Sequence, residues 1–150
     1  MRQGVRLAID FGSARVGIAK CDRDGILATP LRVEPYSDDA TVASTVAAIA
    51  AEYECLEIVL GNPVTLSGEE AQAAERVRQF ADALVAATNI PVRMVDERLT
   101  TAAARKQLLD AGYSTRTDKH LIDAAAAVIL LEDALESERR QGKPAGELLS

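Results

Sequence analysis

The sequence predicts an α/β fold built on a mixed five-stranded sheet. Three observations carry this. Short apolar runs of strand length alternate with segments of helical period along most of the chain. The first two runs are separated by a few residues containing a glycine, which makes them an antiparallel hairpin. Each later strand alternates with a helix, the spacing that parallel pairing needs.

In order, residues 5–10 and 16–21 are the hairpin strands, and residues 26–34, "ILATPLRVE", are a third. Pro30 places that third strand at an edge or bends it, because proline donates no ladder hydrogen bond. Residues 37–53 carry Val42, Val46, Ile49 and Tyr53 at helical spacing, with Ser37 or Asp38 as cap. "LEIVLG", 56–61, is a short buried strand, and 69–88 a second helix with Ala73, Val77, Phe80 and Leu84 in register. "PVRMVDE", 91–97, is a strand ending in two acids. Residues 100–110 read as a helix, 112–119 as a polar loop and 120–138 as a last, very apolar helix. The order is βββαβαβαα, and from Arg139 the apolar period is lost, so 139–150 reads as a loose polar tail.

A chain of 150 residues, 48% apolar, suits one domain with a real core. No long charge-free apolar run opens the chain, so no secretory leader is expected. The longest apolar stretch, 124–131, is too short to span a bilayer. Cys21 and Cys55 have no metal-ligand spacing, and a reducing cytoplasm is the expected setting. The net charge of −6 disfavours gripping nucleic acid by bulk charge, though not reaching phosphates through bound cations. Aromatic residues are too few for a base-stacking platform.

Ligand sites in such sheets lie beyond the carboxyl ends of the strands. Asp10 closes the first strand there and Glu97, beside Asp96, closes the fifth. Asp123 lies in "LIDAAAAVILL", the most apolar segment of the chain, where an isolated carboxylate would be costly. Three carboxylates in one spot repel, and a hard divalent cation such as magnesium relieves them. Two such ions, about 3.5–4 Å apart, support phosphodiester hydrolysis. Each acid also has a plain structural reading. Asp10 suits a turn, Asp96-Glu97 a helix cap and Asp123 a first-turn acid favoured by the helix dipole.

Gly12 follows Asp10, as expected where backbone turns sharply or approaches a ligand. The loop "GNPVTLSGEEAQ", 61–72, resembles an anion-receiving connection or an ordinary strand-to-helix loop. Between Arg93 and His120 six Lys or Arg face four Asp or Glu, a local basic patch or a solvated helix face. His120 lies one helical turn before Asp123, placed for a proton shuttle, a phosphate ligand or a plain surface histidine.

The segments "LAIDFGSARVGIAKCD", "ATPL", "GNPVTLSG", "DERLTT" and "IDAAAAVILL" resemble, in order and spacing, the YqgF family, also called RuvX. The resemblance runs from Arg6 to about residue 135. It implies a ribonuclease H-like fold with helices on both faces of the sheet, relationship to Holliday junction resolvases, and one nuclease domain over 1–138. It further implies a metal-dependent nuclease linked to 5′-end maturation of the 16S ribosomal RNA precursor. Asp10, Glu97 and Asp123 would be the catalytic acids and would hold Mg2+ or Mn2+. Gly12, Ser13, Arg15, Asn62, Arg98 and His120 would meet the substrate. Two positions depart from the family pattern: Asn62 stands for a leucine, and Cys21 for a hydroxyl-bearing residue.

Expected partners are structured RNA, ribosomal particles or branched DNA, with no membrane, as a monomer or homodimer. A Holliday junction resolvase is the nearest rival function, and a non-catalytic ribosome-assembly protein is another. The "DFGS" turn also resembles the phosphate loop of actin-like ATPases, which need two such domains where this chain has length for one.

Overall fold

The computed structural model describes residues 1–12, 14–63, 68–97 and 124–149, with backbone alone at 63, 68–71 and 97. Strands β1 (Arg6–Phe11), β2 (Arg15–Cys21) and β3 (Ala28–Pro35) precede helix α1 (Asp39–Glu52). Then come β4 (Glu57–Pro63), α2 (Gly68–Ala87), β5 (Val92–Glu97), α3 (Ala125–Gln141) and β6 (Glu147–Leu148). The helix expected over 100–110 and the loop over 112–119 lie outside the described residues.

The strands lie in the order β3-β2-β1-β4-β5-β6. β1, β2 and β3 form an antiparallel meander, and β1, β4 and β5 run parallel. Pro30 falls on the outer strand β3, where its missing donor costs nothing, and the ladder there slips between Ile18 and Ala19.

Alternation along the strands feeds two cores. Leu7, Ile9, Val16, Ile18, Ile58 and Leu60 face α1 and α2. Ala8, Ala19, Cys21, Ala28 and Val59 face α3, and their small size lets that helix approach closely. Asp38 caps α1, its carboxylate accepting the Thr41 N–H at 2.8 Å. Among the described residues no helix is long and apolar enough to cross a membrane.

The sheet has six strands where five were expected, and the sixth comes from the segment read as a tail. α3 runs on through Gln141 and ends at Gly142 (φ 74°), whose N–H donates to the Glu138 carbonyl at 2.8 Å. The chain turns at Gly146 (φ 76°) and pairs as β6 with Arg93 and Met94. A Cβ on Gly146 would stand 2.2 Å from the Met94 carbonyl oxygen, so the position demands glycine.

The amino ends of β1, β4 and β5 are tied to the end of α3 by charge. Arg6, 2% exposed, donates to Glu138 at 2.7 Å. Arg2 donates through Nε to Glu138 at 2.9 Å and through Nη2 to Glu57 at 2.8 Å. Arg93 donates to the other Glu57 oxygen at 2.9 Å. The Arg6 backbone N–H donates to the Cys21 sulfur at 3.3 Å. Cys21 therefore belongs to this foot of the sheet, at the far end of β2 from Asp10. Burial pushes the Glu138 carboxyl up, but the hydrogen bonds from Arg2 and the nearby Arg6 charge outweigh it and hold it below its ordinary value.

Glu138→Gln leaves Arg6 buried without its counter-charge, a loss of roughly 3–5 kcal/mol at pH 7. A carboxyl held down in the folded state makes stability rise with pH between its folded and unfolded values. The Glu138 contribution is therefore complete above the unfolded value and disappears as pH falls through the folded one. Urea unfolding at pH 7 and at pH 3 should show a wide gap between wild type and Glu138→Gln that narrows in acid. A gap that stays constant would show that the charge does not matter.

Candidate active site

Asp10, half-buried, is the next-to-last residue of β1. It has the parity of Ala8 and so belongs to the α3 face, while Ile9 and Phe11 turn to the α1–α2 core. β1 pairs with β4 up to Ile9 opposite Leu60, and one step further brings Asp10 beside Gly61. Gly61 in turn pairs with Val95, and position 97 pairs with position 63. The strands carrying Asp10 and Glu97 thus flank β4 and run in the same direction.

The two acids ending β5 separate. Position 97 shares the parity of Val95, which packs on the α3 side. Asp96 alternates to the other parity, is exposed, and accepts a hydrogen bond from the Asn62 amide at 3.2 Å. Asn62 is thereby engaged with Asp96 and is not brought to Asp10. β6 pairs with β5 at Arg93 and Met94, and the following Leu149 N–H donates to the Val92 carbonyl at 2.8 Å, so the edge beyond Met94 stays uncovered among the described residues. Above it opens a cleft of about 590 Å³, bordered by Val95, Asp96, Asp133, Ser137 and Arg140. Burial raises the Asp133 carboxyl above its ordinary value.

Gly12 makes the turn that ends β1. Its N–H donates to the Arg15 carbonyl at 3.0 Å, and a Cβ there would meet that same oxygen at 2.6 Å. Gly12 is therefore required by the hairpin itself. Arg15 opens β2 at this end, exposed to solvent.

α3 brings its first turn toward the same end. Glu138 is anchored beside Arg6 at the start of β1, so the helix runs back against the strand direction. From Glu138 to Ala124 it covers about 21 Å. β1 from Arg6 to Asp10 covers only about 13 Å. The buried Ala124, just before α3, accordingly reaches the level of the strand ends. Asp123, His120, Arg98 and Ser13 lie outside the described residues, as does the Glu97 side chain.

Sequence reasoning missed a cluster on the opposite face. The ring of Phe11, next to Asp10, stacks on Phe80 with centroids 4.5 Å apart and planes at 22°. Tyr36 meets it edge-on at 5.7 Å. The Arg76 guanidinium lies 5.1 Å from the Phe11 ring centre and 5.4 Å from that of Tyr36. Asp39 accepts from Arg76 at 2.6 and 3.0 Å and from the Tyr36 hydroxyl at 2.8 Å. The Arg76 hydrogen bonds, against the cost of burial, hold the Asp39 carboxyl below its ordinary value. No spacing along the chain signals it, because positions 11, 36, 39, 76 and 80 come together only through the fold.

A family model described as "RuvX: Holliday junction resolvase" matches residues 4–137. A Streptomyces coelicolor protein named "Putative pre-16S rRNA nuclease" is 47% identical over 148 residues, which is 98% of this chain and 89% of that protein. A Thermobifida fusca protein of the same name is 46% identical over 157 residues, covering 99% of this chain and 98% of the relative. Among solved structures, T. thermophilus RuvC in complex with a Holliday junction substrate superposes with a TM-score of 0.61 at 18% identity, over 97% of this chain and 99% of that one. The Fowlpox virus resolvase bound to Holliday junction DNA gives 0.55 at 15% identity, over 89% and 97%. The structural likenesses establish the ribonuclease H-like fold of resolvases.

Gly12→Ala forces backbone atoms apart at the Asp10 turn. It should destabilise the protein by roughly 1–3 kcal/mol, as overpacking does. Thermal unfolding of the two proteins measures this, and an unchanged melting temperature would mean that the hairpin accepts a side chain.

Proposed function

We propose that this chain, which belongs to the RuvX family, is a metal-dependent nuclease that matures the 5′ end of the 16S ribosomal RNA precursor in the cytoplasm. One observation supports this most. Asp10 and position 97 share a face and an end of the sheet on strands flanking β4, and α3 starts at that same end. The glycine between them, Gly61, puts no side chain into the gap. Two strand spacings and two residues of rise separate the two backbone positions by about 12 Å. Side chains of Asp and Glu length, reaching inward, narrow that to a span that cations bridge.

The donor set suits a hard divalent ion. Asp10, Glu97 and Asp123 offer only carboxylate oxygens, the ligands that magnesium and manganese prefer. When bound, the metal supplies charge neutralisation and an activated water for phosphodiester hydrolysis. The chain's own residues hold and orient. Gly12 fixes the turn from which Asp10 projects. Arg15 offers an exposed cation at this end to the substrate backbone, with Ser13, Arg98 and His120 as further contacts. Asn62 orients Asp96 and meets substrate at the rim of the site.

Cleavage of branched DNA is the second reading. The family model's own description favours it. The names of the 47%-identical relatives favour RNA.

The deciding experiment compares a 5′-extended 16S precursor with a four-way DNA junction, each with magnesium, with calcium and with chelator. The precursor should be cut in magnesium or manganese only. Calcium should support binding better than turnover, because it takes more ligands at longer distances. Groups that merely orient a metal ligand cost roughly 10–100-fold when lost, so Asp10→Asn should cost more than that. Full cleavage in excess chelator, or by Asp10→Asn, would overturn the assignment. Junction cleavage without precursor cleavage would move it to DNA.

A further inference from the structure

The strand that carries Asp10 ends one residue later, and strand ends open first unless something holds them. Phe11 is that last residue, and its ring is met by groups from two other parts of the fold. Tyr36 comes from the β3–α1 connection, and Arg76 and Phe80 from α2, while Asp39 of α1 holds Arg76 and Tyr36 in place. Asp39 orients the guanidinium, the guanidinium lies over both Phe11 and Tyr36, and the Tyr36 hydroxyl returns to Asp39. The Tyr36 N–H also donates to the Ala14 carbonyl at 3.0 Å, which joins this cluster to the β1–β2 turn.

Residues 10 and 11 occupy opposite faces of one pleat, so a backbone twist that shifts Phe11 in its enclosure also swings Asp10. A site for magnesium tolerates little of this, since that ion demands near-ideal octahedral geometry at about 2.0–2.1 Å. We propose that the Phe11–Arg76 clamp is a positioning device for Asp10. Arg76 and Phe11 are positioning residues that set metal affinity from the far face of the sheet. Arg76 packs with Phe11 on the face of the sheet opposite Asp10, so it serves the site through Phe11. This inference rests on the proposed metal-dependent nuclease.

The test measures manganese binding by calorimetry, thermal unfolding, and cleavage kinetics against metal concentration. The variants are Phe11→Leu, Arg76→Met and Arg76→Lys. Ile49→Ala serves as control: it opens the same core about 15 Å further along α1 from Asp39. Phe11→Leu and Arg76→Met should bind manganese roughly 10–100-fold more weakly, the effect of losing a group that orients a metal ligand. The half-saturating metal concentration for cleavage should rise by the same factor, with KM for RNA unchanged at saturating metal. Arg76→Lys should recover part of the affinity. Ile49→Ala should lower the melting temperature and leave manganese affinity at the wild-type value. Clamp variants that are as destabilised as Ile49→Ala yet bind manganese like wild type would overturn the clamp alone. A wild-type protein that neither binds manganese nor cleaves would overturn the nuclease reading and the clamp with it.

Discussion

Glu138 closes a loop of charge at the foot of the sheet and anchors the far end of α3 there. The carboxylate joins Arg6 at the start of β1 and Arg2 ahead of it, while Glu57 at the start of β4 joins Arg2 and Arg93. Burying such groups gains little net stability over a well-packed apolar core, because desolvation offsets the attraction. What it does is fix register. An unpaired Arg6 or Glu138 would be severely penalised, so any slip of α3 along the sheet is penalised too. Among the described residues no buried side-chain nitrogen or oxygen lacks a partner.

The two ends of the sheet are thus given different chemistry. At the foot, every buried charge is neutralised by another side chain. At the carboxyl end, Asp10 and position 97 fall on the face that α3 packs against. Small residues on that face, Ala8, Ala19 and Ala28, let the helix pack closely on the sheet. The opposite face carries the larger side chains and the Phe11 enclosure, which steadies the last residue of β1. Asp10 is consequently held from one side by its turn and from the other by its neighbour's ring.

Much of this was legible in the sequence. The hairpin, the edge position of Pro30, the Asp38 cap and the helical stripe Val42-Val46-Ile49 follow from local periodicity and turn chemistry, and the structure has each of them; Tyr53, expected to continue the stripe, caps the helix end and is exposed. The resemblance carried the rest of the topology. β6 was not legible because a two-residue strand carries no period, and its formation depends on Gly146 passing close over Met94. The charge network joins residues more than a hundred positions apart, and Arg6 by itself reads only as the polar end of a strand. Asp96 and Glu97 are equivalent in a motif. The resemblance chose Glu97, and the β4–β5 register, with Asn62 opposite Asp96, places the two on opposite faces of the sheet. The β1–β4 register likewise sets Asp10 beside Gly61, which no spacing along the chain could reveal.

If Asp10, Glu97 and Asp123 share one metal centre, anomalous diffraction from crystals soaked in manganese will locate the ion among them. A peak should appear within metal–oxygen bonding distance, about 2.0–2.2 Å, of the Asp10 carboxylate, with Glu97 and Asp123 among the remaining ligands. Full-occupancy manganese elsewhere with none at Asp10, or carboxylates more than roughly 10 Å apart where bridged ions lie about 3.5–4 Å from each other, would contradict it.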